Sequence, residues 1–261
     1  MDIGSEHGAA HAPWKPWAAN IAPAARAFLD LILPPRSYDD GASSQSAGLS
    51  GEAWSRIAFL EAPVCDGCGA AFEHDLGTAV RCPLCQARPR VYSRARAACL
   101  YDETSRDLIL QLKHADRTDL AHLLSAWVGR AAADLIDDAD AIAPVPLNRW
   151  RLFRRRYNQA AELARPIARR AGKTYLPQAL KRLKGDSQAG KSASGRRRAV
   201  AGAFVVPKAQ QARIEGRRIL LIDDVLTTGA TAESCARALL RAGAKAVDVA
   251  TIARVRDVAV E

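Results

Sequence analysis

The sequence lacks an apolar run long enough to cross a membrane as a helix, for which about 18 uninterrupted apolar residues are needed. The best candidate, residues 18–33, is interrupted by Pro23, Arg26 and Asp30. The first residues also lack a basic stretch followed by an apolar run, which is the pattern of an export signal. These absences predict a cytoplasmic protein without membrane insertion.

Acidic residues are scarce between residues 145 and 200, where 16 Lys and Arg residues stand against only Glu162 and Asp186. This segment carries a net charge of +14, so the rest of the chain carries about −4 of the total of +10. Such a charge excess predicts an anionic partner. A solvated face, a nucleic-acid surface and a pocket for a polyphosphate all agree with it, and charge alone does not choose among them.

Six cysteines are present, and four of them form two closely spaced pairs. Disulfides are rare in cytoplasmic proteins, so this spacing directs attention to a metal. The pairs Cys65-Asp-Gly-Cys68 and Cys82-Pro-Leu-Cys85, with 13 residues between them, predict one tetrahedral Cys₄ zinc site of ribbon type. Because four thiolates leave no open position, the zinc should be structural. Cys99 and Cys235 are expected to be buried apolar residues.

From residue 101 onward, helical and strand patterns alternate along the chain, which predicts a parallel sheet flanked by helices. Apolar side chains at helical spacing and a closing glycine, Gly172, mark the helices. The predicted helices cover residues 22–33, 108–112, 120–128, 157–171 and 232–242, and the predicted strands cover residues 141–145, 218–222 and 246–255.

Two adjacent carboxylates, Asp223 and Asp224, follow the most apolar of these strands, and ligands bind at such strand ends in open α/β sheets. A loop with Thr227, Thr228 and Gly229 then leads into a helix, so its N–H groups and hydroxyls can surround a phosphate. The carboxylates would repel that phosphate unless they held ribose hydroxyls, with Mg²⁺ nearby. A strand–turn–helix with an Asp N-cap is the alternative, but the tandem acids in register with the loop favour the ligand site.

This segment resembles the phosphoribosyl pyrophosphate (PRPP) binding motif of type I phosphoribosyltransferases. The resemblance implies that the acidic pair contacts the ribose 2′- and 3′-hydroxyls and that the loop holds the 5′-phosphate. It also implies a type I phosphoribosyltransferase-like α/β fold with a small N-terminal zinc ribbon. The substrate-binding residues expected in this segment are Asp223, Asp224, Thr227, Thr228, Gly229, Ala230 and Thr231.

Other motifs are similar to those of the ComF (GntX-like) family. Residues 144–147 (PVPL) and 154–159 (RRRYNQ) match two of its elements, residues 188–204 look like its mobile loop, and Lys113 matches its lysine after the first helix. The resemblance implies that Arg149 and Lys113 lie near the pyrophosphate. It also implies a link to DNA uptake during natural competence.

The chain departs from the family pattern in its mobile loop, where Ala189, Lys191 and Ala199 replace Thr, Leu and Asn. It also lacks the second pair of cysteine pairs that ComF-like proteins often carry upstream, so we expect one zinc per chain. The positions that would hold those cysteines are Ser37, Asp40, Ser50 and Ala53.

We therefore predict three regions: an N-terminal helix with a degenerate ribbon half (residues 1–62), a Cys₄ zinc ribbon (63–98) and a phosphoribosyltransferase-like domain (99–261). The leading hypothesis is a protein that binds PRPP or a related ribose 5-phosphate ligand with Mg²⁺ and transfers the phosphoribosyl group to an acceptor that the sequence does not identify. The alternatives are a non-catalytic PRPP-binding regulator and a single-stranded DNA-binding adaptor.

Overall fold

The computed structural model describes residues 48–113, 118–147, 157–183 and 202–256. Outside these ranges lie the predicted helix at residues 22–33, Arg149, and most of the loop at residues 188–204. The positions Ser37 and Asp40 also lie outside them.

The strands of the described residues form one parallel sheet and one short antiparallel pair. In chain order they are β1 (Ala95–Leu100), β2 (Ala141–Pro144), β3 (Thr174–Tyr175), β4 (Lys181–Arg182), β5 (Phe204–Val205), β6 (Arg218–Leu226) and β7 (Ala246–Arg254). The parallel sheet has the spatial order β1–β7–β6–β2–β3, and β4 pairs with β5. The predicted α/β architecture with a parallel sheet is confirmed.

Helices connect these strands. They are α1 (Gly51–Arg56), α2 (Pro83–Ala87), α3 (Glu103–Lys113), α4 (Thr118–Ala131), α5 (Ala133–Asp138), α6 (Gln159–Ala171) and α7 (Ala230–Arg241), with a 3₁₀ helix at Lys208–Arg213. Helix α6 begins two residues later than predicted because the Asn158 side chain caps it, accepting a hydrogen bond from the Ala160 N–H at 3.1 Å. No helix in the described ranges is long and apolar enough to cross a membrane.

Strand β6 is apolar on both sides because it lies between two helical layers. Leu220 and Ile222 belong to the core cluster that includes α3, α4, α5 and α6, whereas Ile219 and Leu221 belong to the cluster that includes α7. All four side chains are fully buried. Since burial of an aliphatic side chain contributes about 1.5–3 kcal/mol, this alternation stabilises both layers against the sheet.

The chain leaves neighbouring strands β2 and β6 in opposite directions. From β2 it passes through α6 to β3 at one edge of the sheet, and from β6 it passes through α7 to β7 on the other side. Helices α6 and α7 pack on opposite faces of the sheet. A crevice opens at the carboxyl ends of two strands where the connections diverge in this way, and ligands of open α/β sheets bind there.

The segment before the sheet covers the edge strand β1. Phe59 pairs antiparallel with Cys99, the Leu60 N–H donates to the Ala98 carbonyl at 2.9 Å, and the Leu100 N–H donates to the Ala58 carbonyl at 2.8 Å. These bonds satisfy backbone groups that an edge strand would otherwise expose. The cysteine-containing residues that follow are therefore held beside the sheet.

Candidate functional site

The acidic pair lies on β6 at the point where the β2 ladder ends. Strand β6 pairs with β2 as far as Ile222, but it pairs with β7 as far as Leu226. Asp223 and Asp224 therefore extend beyond β2, on the side of the crevice defined above. The predicted strand, residues 218–222, is four residues too short because the long strand β7 continues to bond β6 after the acids begin.

Lys113, the last residue of α3, lies next to the acidic pair. Its Nζ is 2.8 Å from Asp224 Oδ2, and both side chains are about four-fifths buried, with exposed fractions of 20% and 24%. The structure thus brings together two predicted site residues that are far apart in the chain. The pair neutralises one carboxylate at the place where the motif predicts an anionic ligand.

Asp223 is in a different electrostatic environment from its neighbour. Burial, and after it the charge of Asp224, raise the pKa of Asp223 well above its ordinary value, and Lys113 opposes this only in part. The Asp223 Oδ1 accepts a hydrogen bond from the Asp224 N–H at 2.9 Å, which holds the carboxyl group in place. A hydroxyl group that donated a hydrogen bond to this carboxylate would offset the free-energy cost of burying its charge.

The loop after β6 turns into helix α7 at a left-handed glycine. Gly229 is the N-cap of α7, has φ +77° and is buried, whereas Thr227 and Thr228 are exposed and Ala230 and Thr231 are half-buried. Gly229 has no side chain with which to cap α7, and the Thr228 Oγ1 accepts a hydrogen bond from the Ala230 N–H at 3.4 Å. The positive end of the helix dipole and the first-turn N–H groups therefore point out of the helix beside the acidic pair.

Residues 157 and 158, from the RRRYNQ element, form hydrogen bonds to the ends of α3 and β2. The Tyr157 hydroxyl donates to the carbonyl of Leu112, immediately before Lys113. The Asn158 Nδ2 donates to the carbonyl of Val145 at 3.0 Å, just after β2. This element thus connects the end of α3 with the end of β2. Arg149, which the motif places near pyrophosphate, lies outside the described residues.

Arg90 and Tyr92 were not predicted, yet they contact the predicted phosphate loop. The Arg90 Nη1 donates to the Thr228 carbonyl at 3.1 Å and lies 3.4 Å from Glu233 Oε1 in the first turn of α7. A Cβ on Gly229 would be 3.3 Å from the Tyr92 hydroxyl. No sequence pattern indicates these contacts, since Arg90 precedes Thr228 by 138 residues.

The four paired cysteines form a second candidate site. Their sulfur atoms all lie within 4.8 Å of one another, and Cys65, Cys68 and Cys85 are fully buried. The sulfurs of Cys68 and Cys82 are 3.7 Å apart. A tetrahedral zinc site with Zn–S bonds of about 2.3 Å has sulfur–sulfur edges of about 3.8 Å. The donor set therefore fits a structural metal such as zinc.

Backbone bonds shape each cysteine pair into a tight turn. The Gly69 N–H donates to the Cys65 carbonyl at 2.8 Å, and the Cys85 N–H donates to the Cys82 carbonyl at 2.9 Å. A hydrogen bond from Cys68 lowers the pKa of the Cys65 thiol to about 4, whereas burial raises that of Cys85 to about 11. Burial thus opposes ionisation of all four thiols together, and a bound metal would supply the positive charge that lets them bind as thiolates.

The upstream positions that would hold further cysteines have other roles. The Ser50 side chain caps α1 by accepting a hydrogen bond from the Ala53 N–H at 3.0 Å, and Ala53 is buried. A serine cap and an alanine methyl group supply no thiolate. The expectation of one zinc per chain stays a prediction.

Comparison with known proteins identifies the family. A family model described as phosphoribosyl transferase domain matches residues 158–260. The chain is 30% identical over 207 residues to DNA utilization protein YhgH of Escherichia coli (strain K12), covering 77% of this chain and 88% of that protein. It is 29% identical over 212 residues to Competence protein F of Haemophilus influenzae, covering 73% and 90%. The chain belongs to the ComF family.

The ComF-family assignment agrees with the fold and with the cysteine cluster. The parallel sheet, the flanking helices and the N-terminal Cys₄ cluster are those of a phosphoribosyltransferase-like domain with a zinc ribbon. The solved structure of the allosteric regulatory enzyme of purine biosynthesis aligns with 55% of this chain and 30% of its own, at 19% identity and a TM-score of 0.38. At that score the likeness adds no argument to those from the family model and the sequence relatives.

Proposed function

We propose that this ComF-family protein binds PRPP or a related ribose 5-phosphate ligand with Mg²⁺ at the crevice between β2 and β6. One observation carries the proposal: the acidic pair, at the point where the two crossover connections diverge, is followed within a few residues by the N-terminus of α7, whose N-cap is the left-handed Gly229. Carboxylates suit ribose hydroxyls, and a helix N-terminus suits a phosphate.

Each residue of the motif then has a defined task. Asp223 and Asp224 accept hydrogen bonds from the ribose 2′- and 3′-hydroxyls. The loop Thr227–Thr231, through its N–H groups and threonine hydroxyls, donates to the 5′-phosphate. Gly229 allows the backbone to approach because its φ of +77° is strained for residues with a side chain.

Lys113 and Arg149 are the cations proposed for the pyrophosphate side. The 2.8 Å ion pair of Lys113 with Asp224 supports this role, because it places an ammonium group at the crevice. The oxygen-rich donor set also suits Mg²⁺, which is commonly bound through one or two carboxylates together with substrate phosphates. When bound, the ion would offset the charge of the pyrophosphate.

In the proposed reaction, the bond from C1′ to the pyrophosphate oxygen breaks and a bond from C1′ to a nucleophilic acceptor forms. Pyrophosphate leaves with the electron pair of the broken bond, and the acceptor loses its proton. The protein contributes position and charge stabilisation for an oxocarbenium-like state. The acceptor and any general base are left unassigned, and a non-catalytic regulator that binds PRPP is the variant of this proposal without turnover.

Calorimetric titration with PRPP, with and without Mg²⁺, tests the proposal. In the double variant Asp223→Asn with Asp224→Asn, two charge-assisted hydrogen bonds are weakened, each contributing about 1.5–3 kcal/mol, so the Kd should rise at least about 100-fold. Asp107→Asn, on the exposed side of α3, is the control and should leave the Kd unchanged. Unchanged affinity in the double variant would refute the assignment. Pyrophosphate release with added acceptors separates a transferase from a regulator.

A second candidate function, contact with single-stranded DNA, is favoured by the relatives DNA utilization protein YhgH and Competence protein F and by the +14 charge of residues 145–200. It can coexist with the ribose-phosphate site. An electrostatic DNA surface predicts affinity for an oligonucleotide that falls steeply between 50 and 200 mM salt. Affinity that stays flat over this range would count against it.

A further inference from the structure

The segment that joins the cysteine cluster to the sheet passes over the predicted phosphate loop. Helix α2 carries Cys85, and the chain then reaches Arg90 and Tyr92 before β1 begins. Both side chains turn toward the start of α7. The two candidate sites are therefore joined by a connection of about five residues between Cys85 and Arg90.

Arg90 holds the loop on both sides of Gly229. Its Nη1 donates to the Thr228 carbonyl at 3.1 Å, before the glycine, and lies 3.4 Å from Glu233 Oε1, after it. Both charged side chains are shielded, with exposed fractions of 19% for Arg90 and 11% for Glu233. The Glu233 N–H in turn donates to the Gly229 carbonyl at 2.8 Å. One guanidinium group thus links the carbonyl before the turn with the first turn of the helix.

Tyr92 also packs against the loop, at Gly229. It is 2% exposed, and its hydroxyl lies 3.3 Å from the position that a Cβ of Gly229 would take. A buried ring cannot move aside easily, so the loop at Gly229 has little room for a side chain between it and the joining segment.

We propose that Arg90 is a positioning residue through which the cysteine cluster holds the ribose-phosphate loop in its binding conformation. Metal at the cluster and affinity at the loop are then coupled, and the coupling is reciprocal. The inference rests on the proposed function for its ligand, but the contact itself does not depend on that ligand. The physical reason is preorganisation: a loop that is already held in place loses less conformational entropy when it binds a phosphate.

The test is a cycle of two proteins in two states: wild type and Arg90→Ala, each with zinc and without it. The zinc-free samples are desalted into Mg²⁺ buffer after zinc removal. In zinc-loaded protein, Arg90→Ala should weaken PRPP binding about tenfold, the effect of one charge-assisted hydrogen bond. Zinc removal should weaken the wild type by a similar factor but should weaken Arg90→Ala little further. Arg88→Ala, exposed and two residues away, is the control and should match the wild type. Equal effects of zinc removal on wild type and Arg90→Ala would overturn the proposal.

Hydrogen exchange of the ligand-free, zinc-loaded protein gives a readout that needs no ligand. Amides of residues 227–233 should exchange faster in Arg90→Ala than in Arg88→Ala. If the wild type binds no PRPP, the proposed function fails, and this measurement still decides whether Arg90 positions the loop. Should Arg90→Ala not fold, Arg90→Lys serves instead, because it keeps the charge but loses the planar fork that reaches two acceptors. Exchange and affinity equal to wild type in that variant would overturn the proposal.

Discussion

At the residue scale, two aspartates of adjacent strands show how partners decide the role of a charge. Asp248 is completely buried, and its Oδ2 lies 3.0 Å from Arg94 and 2.9 Å from Arg218. Asp223 has the like charge of Asp224 beside it, and its pKa is raised by burial and then by that charge. Asp248 is therefore a structural ion partner, whereas Asp223 is kept at the cost of stability, as functional carboxylates often are.

Asp223→Asn should stabilise the ligand-free protein at pH 7. Because the folded-state pKa of Asp223 is raised, its contribution to stability is full below the unfolded pKa of about 3.9 and is lost as the pH rises through the raised pKa. Asparagine still accepts the hydrogen bond from the Asp224 N–H but carries no charge. The free energy of unfolding at pH 7 should therefore rise by about 1 kcal/mol or more. Denaturant unfolding across pH 4–8 measures it, and the two curves should converge toward pH 4.

The matched variant is Asp248→Asn, in which the half-buried Arg94 and Arg218 lose the buried anion that they share. It should destabilise the protein by about 3–5 kcal/mol at pH 7. If Asp223→Asn also destabilised the protein, Asp223 would be a structural ion partner like Asp248.

At the element scale, α7 depends on the turn that precedes it. Gly229 adopts φ +77° and packs under Tyr92 and Arg90. Helix α6 ends at another left-handed glycine, Gly172, with φ +62°, where a Cβ would have nothing within 4 Å. The two glycines share the same conformational demand but differ in their surroundings.

Substitution by alanine separates the effect of backbone strain from the effect of crowding. Gly172→Ala should cost about 1 kcal/mol, the strain of the left-handed conformation alone. Gly229→Ala should cost about 2–3 kcal/mol, because crowding against a buried tyrosine adds about 1–2 kcal/mol. Chemical denaturation of both variants gives the comparison. Equal losses would mean that the loop has room to move away from the joining segment.

At the scale of the whole molecule, the cysteine module and the sheet behave as one packed unit. Gly69, in the first cysteine turn, approaches β1 so closely that a Cβ there would be 2.8 Å from the Ala95 carbonyl oxygen. Arg96 of β1 pairs with Asp66 of the module at 3.1 Å and with Asp134 of α5 at 2.8 Å. The cysteine cluster is therefore built into the edge of the domain, and loss of a metal bound there should destabilise the sheet.

We expect one zinc ion per chain by elemental analysis, and zinc removal should lower the melting temperature. Thiol titration of the native protein should detect four additional reactive cysteines after zinc removal, whereas Cys99 and Cys235 stay protected because both are completely buried. Cys85→Ser should abolish zinc binding, and Cys99→Ala, the control, should not. Two zinc ions per chain would contradict the prediction and point to ligands upstream of the described residues.

The sequence predicted those features whose parts are close together along the chain. The cysteine spacing predicted a cluster that the structure contains, and the apolar run of β6 predicted a strand between two helical layers. Where a prediction missed its bounds, a neighbour was responsible: β6 is longer because β7 continues to pair with it, and α6 starts later because Asn158 caps it. Local pattern specifies an element, whereas its ends depend on what lies beside it.

The sequence by itself therefore determined the three strands β2, β6 and β7 with most of the longer helices around them, the four-sulfur cluster, and the acidic pair followed by its loop, because each is encoded by neighbouring residues. It did not indicate the strand β1 or the short strands β3, β4 and β5. Only the tertiary structure decided that Lys113 pairs with Asp224, and that Arg90 reaches across 138 residues to Thr228. Such contacts follow from sheet order and helix packing, which bring distant segments together and leave no periodic trace in the chain. The crevice between β2 and β6 is likewise a property of the strand order in space.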